Sequence, residues 1–468
     1  MIPIHQSVDK KQNSNFNYVI MVTIIASLGG MMMGYYTNVI SGAVGFLQIK
    51  FSLSPAMTGW VVSSMLLGCM IGAGFSGIYS ERFGLKNVQL LSALFFTVGI
   101  ILSAFADTVT TLVISRIIGG IGAGITTSMT SLYVSEISPP KIRGRLVSLY
   151  QLVVVTGISI VYFVNFWVVN QGDNAWNVST GWRWMLGLGI IPSLIYLIFI
   201  FFIPESPRWL QKRGREDEAL KILWRINDEE QAIVELNAIK NSVIKEKLNK
   251  ERVSIKGIFR PGVRKVVFIG IALGILQVLV GIDTIMYYAP EIFEQTGSGT
   301  NSSFMMTVSI GIVNMMFAIV AVWLIDKVGR RKLLLTGLFI MSACHCMIAT
   351  LFLTGATDGF WILSFILLFV AAFEISIGSV LWVVLGEIFP AKVRGLAMSL
   401  AILALWIASF VVTQSFPIIL SIGPAIAFGS FAVISIIGFI FVYKALPETK
   451  GMTLEEIEQG WSIRMKKH

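Results

Sequence analysis

"EISPPKIRG" at 136–144 and "EIFPAKVRG" at 387–395 are nearly the same nine residues, 251 positions apart. Each opens with an acid, carries Pro fourth and Lys sixth, and closes on Arg-Gly. Two further echoes keep a similar offset. "SERFGLKN" from Ser80 returns as "IDKVGRRK" from Ile325, 245 positions later, and "PESPRWL" from Pro204 returns as "PETKGMT" from Pro447, 243 later. One pair could arise by chance, but three at similar offsets indicate an internal repeat of half the chain.

Composition says what is repeated. Of 468 residues, 55% are hydrophobic and 13% charged, with a mean hydropathy of +0.78. An ordinary soluble domain carries about 25% charged residues, so this is the composition of a membrane protein. A spanning helix needs about 20 mostly apolar residues. The sequence predicts spans 1 to 6 near 18–46, 58–80, 88–106, 109–135, 145–170 and 182–203. Spans 7 to 12 follow near 266–290, 304–325, 333–354, 360–386, 395–420 and 424–446. The expected fold is all-α, with two pseudo-symmetric six-helix bundles at 18–203 and 266–446. Tails at 1–17 and 447–468 flank them. The intervening 204–265 holds 15 Lys/Arg and 10 Asp/Glu. Its "EDEALKILWRI" has the apolar spacing of a short amphipathic helix.

Charge gives the orientation. An even number of spans puts both termini and the linker on one side, which collects 33 of the 36 Lys/Arg. Basic residues gather on the cytoplasmic side, so termini and linker are expected in the cytoplasm of a multi-pass cell-membrane protein. The net charge of +10 is then a topology signal and does not imply nucleic-acid binding. Cys69, Cys344 and Cys346 lie in apolar segments and imply no disulfide framework. The repeated motifs fall in equivalent loops. Glu136 with Arg143, Glu387 with Arg394, and Arg82 with Asp326 are therefore candidate charge-assisted latches across the inner face.

"GYYTNVISGA", "RIIGGIGAG", "YVSEISPPKIRG", "PESPRWL", "LVGIDTIMYYAPEIF", "GEIFPAKVRG" and "PETKG" together resemble the sugar porters of the major facilitator superfamily, over nearly the whole chain. The resemblance implies alternating access around a sugar pocket between the two bundles, a common pattern for secondary transporters. Carried over by position, it places substrate contacts at Gln151, Gln277, Asp283, Tyr288, Asn314, Glu374, Trp382 and Trp406. It also implies an outer gate at Tyr287 and Tyr288. The residue types suit a polyol: amides offer donor and acceptor together, and tryptophan offers an apolar face. On a continuous helix Gln277 and Asp283 would stand about 120° apart.

The chain departs from that family in ways that bear on coupling. Tyr36 stands where proton-coupled sugar porters typically have Asp, opposite the position of Arg116, and depth along spans 1 and 4 differs by only about 5 Å. A phenol, with a reference pKa of about 10, is a poor substitute for a carboxylate as proton carrier. Asp283 stands where the family has Asn, at the equivalent depth in the other repeat. Two readings stay open: proton symport through a relocated carboxylate at Asp283, or uniport with Asp283 a fixed hydroxyl acceptor, paired with Arg116 or not. Leu276, Leu405 and Ile377 make the pocket less polar, and Ser379 in place of proline predicts a milder kink in span 10. A hexose, pentose or cyclitol would all fit.

Other signals point elsewhere. "GGIGAG" from Gly119 sits inside a spanning helix, where Gly120 and Gly124 form a small-xxx-small contact face and not a nucleotide loop. Cys344 and Cys346 point about 200° apart on a helix, so "CHC" makes no metal site. No cofactor is expected and no enzyme constellation is present. The competing classes are a sugar sensor and a drug–proton antiporter; the expected carrier works as a monomer in the lipid bilayer.

Overall fold

The computed structural model describes residues 4–139, 142–248, 263–390 and 393–450. Twelve helical segments among them are long and apolar enough to cross a membrane. Spans 1 to 6 are Phe16–Phe51, Pro55–Phe83, Leu85–Ala104, Val109–Ile137, Arg143–Val169 and Asn174–Phe202. Spans 7 to 12 are Val263–Glu294, Thr300–Ile325, Arg330–Thr354, Gly359–Ile388, Arg394–Ile422 and Pro424–Ala445.

Helix starts are written in local chemistry. Ser54 accepts from the Met57 N–H at 3.4 Å and Pro55 fills the first helical position, where a missing N–H costs nothing. Thr108 caps span 4 by accepting from the Thr111 N–H at 3.1 Å. Asp173 accepts from the Trp176 N–H at 2.8 Å. That cap starts span 6 eight residues earlier than hydropathy suggests, and a π turn at Asn177–Gly181 carries the chain through polar residues to Trp182.

The two bundles pack by the same rules. Span 1 lies on span 5 as span 7 lies on span 11, and span 3 lies on span 6 as span 9 lies on span 12. Across the halves, span 2 meets span 11 and span 5 meets span 8. Exchanging the halves maps each of these contacts onto the other, so the interface itself obeys the repeat. Spans 2 and 4 touch backbone to backbone. A Cβ on Gly120 would lie 2.1 Å from the Met65 carbonyl, and one on Gly124 the same distance from that of Cys69. This is the small-residue contact expected of them.

Within 204–265 lie helices Pro207–Lys212, Glu216–Ile226 and Glu229–Leu248. Leu210, Ala219, Leu223, Ala232 and Leu236 form their own small apolar core.

The three sequence echoes meet at one corner of each half. Gly84 (φ +93°) and Gly329 (φ +102°) open spans 3 and 9, and each faces the acid of the third echo. Glu205 accepts from the backbone N–H groups of Leu85 (3.0 Å), Lys86 (3.2 Å) and Ser206 (2.8 Å). Glu448 accepts from those of Arg330 (2.9 Å), Thr449 (3.1 Å) and Lys450 (3.1 Å). An acid at a helix N-terminus satisfies orphan donors and meets the positive end of the dipole. Ser206 then donates to Glu136, and Thr449 to Glu387 at 2.6 Å.

Candidate functional site

Span 7 is two helices, Val263–Leu279 and Ile282–Glu294, broken at Gly281 (φ +92°). Gln277 ends the first and Asp283 begins the second. The 120° separation expected on a continuous helix therefore does not hold, because the left-handed glycine resets the direction between them. A second break follows. Tyr288 has φ −120° and ψ 17°, two residues before Pro290, which has no N–H to give and clashes with the preceding turn.

Beside the first break, span 10 carries a π segment, Glu374–Gly378, with Ser376 at φ −110° and ψ −108°. The mild kink expected from Ser379 is thus a full interruption: a π turn, not a proline, deflects the helix. The Gln277 side-chain amide donates to the Gly378 carbonyl at 3.4 Å, tying the two breaks together.

Several predicted contact residues carry buried polar atoms without a protein partner among the described residues. Gln277 Oε1, Asn314 Oδ1, Glu374 Oε2 and Trp406 Nε1 are all in this state. Buried polar atoms are normally bonded, so acceptors and a donor left over on spans 7, 8, 10 and 11 suit a ligand rich in hydroxyls. Gln151 and Trp382 are half-buried. Tyr288 departs from expectation. It is fully buried, its hydroxyl donates to the Thr413 carbonyl at 3.1 Å, and its ring packs on Phe416 at 5.2 Å. The backbone break turns it into span 11, where its hydroxyl is already occupied.

Tyr36 and Arg116 are neighbours, with the guanidinium carbon 4.9 Å from the ring centroid. Arg116 Nη1 donates to the Tyr36 carbonyl at 2.9 Å, and the Tyr36 hydroxyl donates to the Ser115 carbonyl at 3.0 Å. Arg116 is 1% exposed and pairs with no carboxylate among the described residues. Carbonyl and π-face take the place of an anion. The alternative pairing of Asp283 with Arg116 is not formed: Asp283 instead accepts from the Ser409 hydroxyl on span 11.

On the face away from the linker, the halves are joined. Gln414 of span 11 accepts from Ser63 (2.9 Å) and donates to the Ala56 carbonyl (2.9 Å) of span 2. Ser159 of span 5 donates to the Gly311 carbonyl of span 8 at 2.8 Å. Tyr162 donates to the Met286 carbonyl at 2.8 Å, and Tyr287 is buried in the core around it. Outside this seal lies a cavity of about 350 Å³ lined by Ser41, Gln48, Glu291, Glu294, Phe304 and Ser421. Tyr162 and Ser409 escaped the sequence reading. Tyr162 lies eleven residues after Gln151, three turns along one face, a signal that was available.

On the linker face, the latch candidates whose side chains are described have partners in their own half or in the linker. Glu387 pairs with Arg330 at 3.0 Å, while Arg394 donates to the Phe389 carbonyl at 3.3 Å. Arg143 donates to the Ser138 carbonyl at 3.3 Å and faces Glu235 of the linker at 3.7 Å. Arg82 lies over Phe83, 5.3 Å from its ring centroid, and the side chain of Asp326 lies outside the described residues. Among the described residues, the returning "PESPR" and "PETKG" segments bring hydroxyl donors to Glu136 and Glu387, from Ser206 and Thr449. Cys344 is buried and Cys346 exposed, on opposite sides of span 9 as their spacing requires.

Residues 22–461 match the family described as "Sugar (and other) transporter". The chain belongs to that family. This sugar transporter is 44% identical to the arabinose-proton symporter of Bacillus subtilis, covering 98% of both chains. It is 34% identical to the D-xylose-proton symporter of Escherichia coli K12, over 97% of this chain and 98% of that one. The inward-open structure of the xylose transporter XylE from E. coli superposes with a TM-score of 0.84 at 34% identity, covering 95% of this chain and 100% of that one. The fold is that of the major facilitator superfamily. The protein is a multi-pass membrane transporter, and its family is one of transporters, not of enzymes.

Proposed function

We propose that this transporter carries a pentose, arabinose or xylose, together with a proton, by alternating access, and that it does so as a monomer. The relatives named for those sugars and for proton symport support the substrate and the coupling. The 33 basic residues on the linker side support a cytoplasmic linker and termini.

One observation carries the coupling. Asp283 starts the outer helix of span 7, bonded to Ser409 and unneutralised by any cation among the described residues. An ionisable group at membrane depth is a functional candidate by default. Protonated, Asp283 can move between the two arrangements without carrying a charge through an apolar seal. Ionised, it accepts hydroxyls from Ser409 or from sugar. Arg116, already capped by the Tyr36 carbonyl and ring, leaves this role to Asp283. Gln151, Gln277, Asn314, Glu374, Trp382 and Trp406 hold the sugar; Tyr287 closes over it from outside. The linker-face residues Glu136, Arg143, Glu387, Arg394 and Arg82 change partners when that face closes.

The test is uptake of L-arabinose and D-xylose into proteoliposomes with an imposed pH gradient, acid outside. Accumulation above equilibrium supports symport. Equilibration without accumulation identifies the uniport that Tyr36 would otherwise suggest.

A further inference from the structure

The histidine of "CHC", which the sugar site does not use, sits at the break of span 7. His345 of span 9 is fully buried. Its ring lies against Phe369 (4.4 Å), Phe431 (5.6 Å) and Phe428 (5.9 Å). Its Nε2 is 2.9 Å from the Val280 carbonyl. A carbonyl only accepts, so Nε2 carries the proton.

That carbonyl is one that the break leaves without a backbone donor among the described residues. The Val280 N–H still bonds back to Leu276 at 3.2 Å, and the next helix begins with the bond from Ile285 to the Gly281 carbonyl at 3.1 Å. The Val280 oxygen falls between the two ladders, deep in the bundle, where an unpaired carbonyl is costly. The conformation beside it is fixed from the other side. Gly281 is left-handed, and a Cβ there would lie 2.7 Å from the Phe431 ring. Phe431 stacks on Phe416 at 6.1 Å, which in turn packs on Tyr288 at the second break. Residues 282–287, including Asp283 and Tyr287, are thus held between two pinned breaks.

We infer that His345 is a positioning residue for transport: its Nε2–H bond to Val280 fixes the break in span 7 and with it the outer segment that carries Asp283. It touches neither sugar nor Asp283 and acts through the backbone. The inference builds on the transport reading, since the moving segment is the one that reading assigns to coupling.

The test compares His345→Phe, which keeps an aromatic ring and loses the donor, with His345→Gln, whose amide nitrogen reaches a similar distance. Two readouts are used in a background lacking the three native cysteines. One is initial uptake of L-arabinose and D-xylose; the other is thiol labelling, from the outer face, of Thr284→Cys, a buried position on the held segment. For His345→Phe, maximal uptake should fall roughly tenfold, as expected for one orphaned buried carbonyl, and labelling should rise several-fold. His345→Gln should restore both. Equal loss in both variants, or parent-like labelling in His345→Phe, overturns the inference. Should His345→Phe fail to insert, His345→Gln decides alone: parent-like labelling supports the donor role and raised labelling contradicts it. If the parent moves neither pentose, the transport reading fails, while labelling still judges His345.

Discussion

The hydroxyl of Tyr162 on span 5 lies 2.8 Å from the carbonyl of Met286 on span 7. Met286 is four residues before Pro290, so it is the carbonyl that Pro290 cannot serve. A residue of the first half thus satisfies a defect built into the second, and does so where the halves close. Tyr162→Phe should remove the bond and leave that carbonyl unpaired, weakening the closed outer face by about 1–2 kcal/mol. The expected result is a roughly tenfold rise in labelling of Asn314→Cys, a buried position one turn inward of the Ser159–Gly311 contact on span 8, by a membrane-impermeant thiol reagent.

Tyr288 separates the resemblance from the geometry. Its hydroxyl is spent on the Thr413 carbonyl, so Tyr288→Phe should change KM for L-arabinose or D-xylose less than about twofold while lowering thermal stability by about 1 kcal/mol. Gln277→Ala, at a side chain with an unpartnered buried oxygen, should raise KM roughly tenfold. Uptake kinetics and melting in detergent distinguish the two outcomes.

Glu205 lies beyond span 6, where burial raises its carboxyl above the ordinary value of 4.5 against the pull of the Ser206, Lys86 and Leu85 N–H groups. The folded state therefore holds this proton more tightly than the unfolded one. Its contribution to stability is largest at pH below the ordinary value and shrinks as pH rises through the elevated one. Glu205→Gln keeps an acceptor and does not titrate. The melting temperature of the parent minus that of the variant should fall as pH is raised through this window.

Much of this was legible in the sequence, for physical reasons that differ by residue. The echoes around Glu136, Gly84 and Glu205 revealed the repeat because each half must cap the same helix corner. Depth along straight helices brought Tyr36 to Arg116. Helix arithmetic failed where helices stop: between Gln277 and Asp283, across Gly281; at Tyr288, turned by the approach to Pro290; and at Ser376, where a π turn replaced the missing proline. The partners of Glu136 and Glu387 were hidden because the donors, Ser206 and Thr449, return from 70 and 62 residues away. Asp283 was visible as an odd residue, but its bond to Ser409 needed the packing of span 11 on span 7.

The coupling role of Asp283 is tested most directly by pH-gradient-driven accumulation of L-arabinose and D-xylose in proteoliposomes, parent against Asp283→Asn. The parent should concentrate sugar, and the variant should lose accumulation while retaining exchange of sugar for sugar. Accumulation undiminished in Asp283→Asn, or none in the parent, would contradict it.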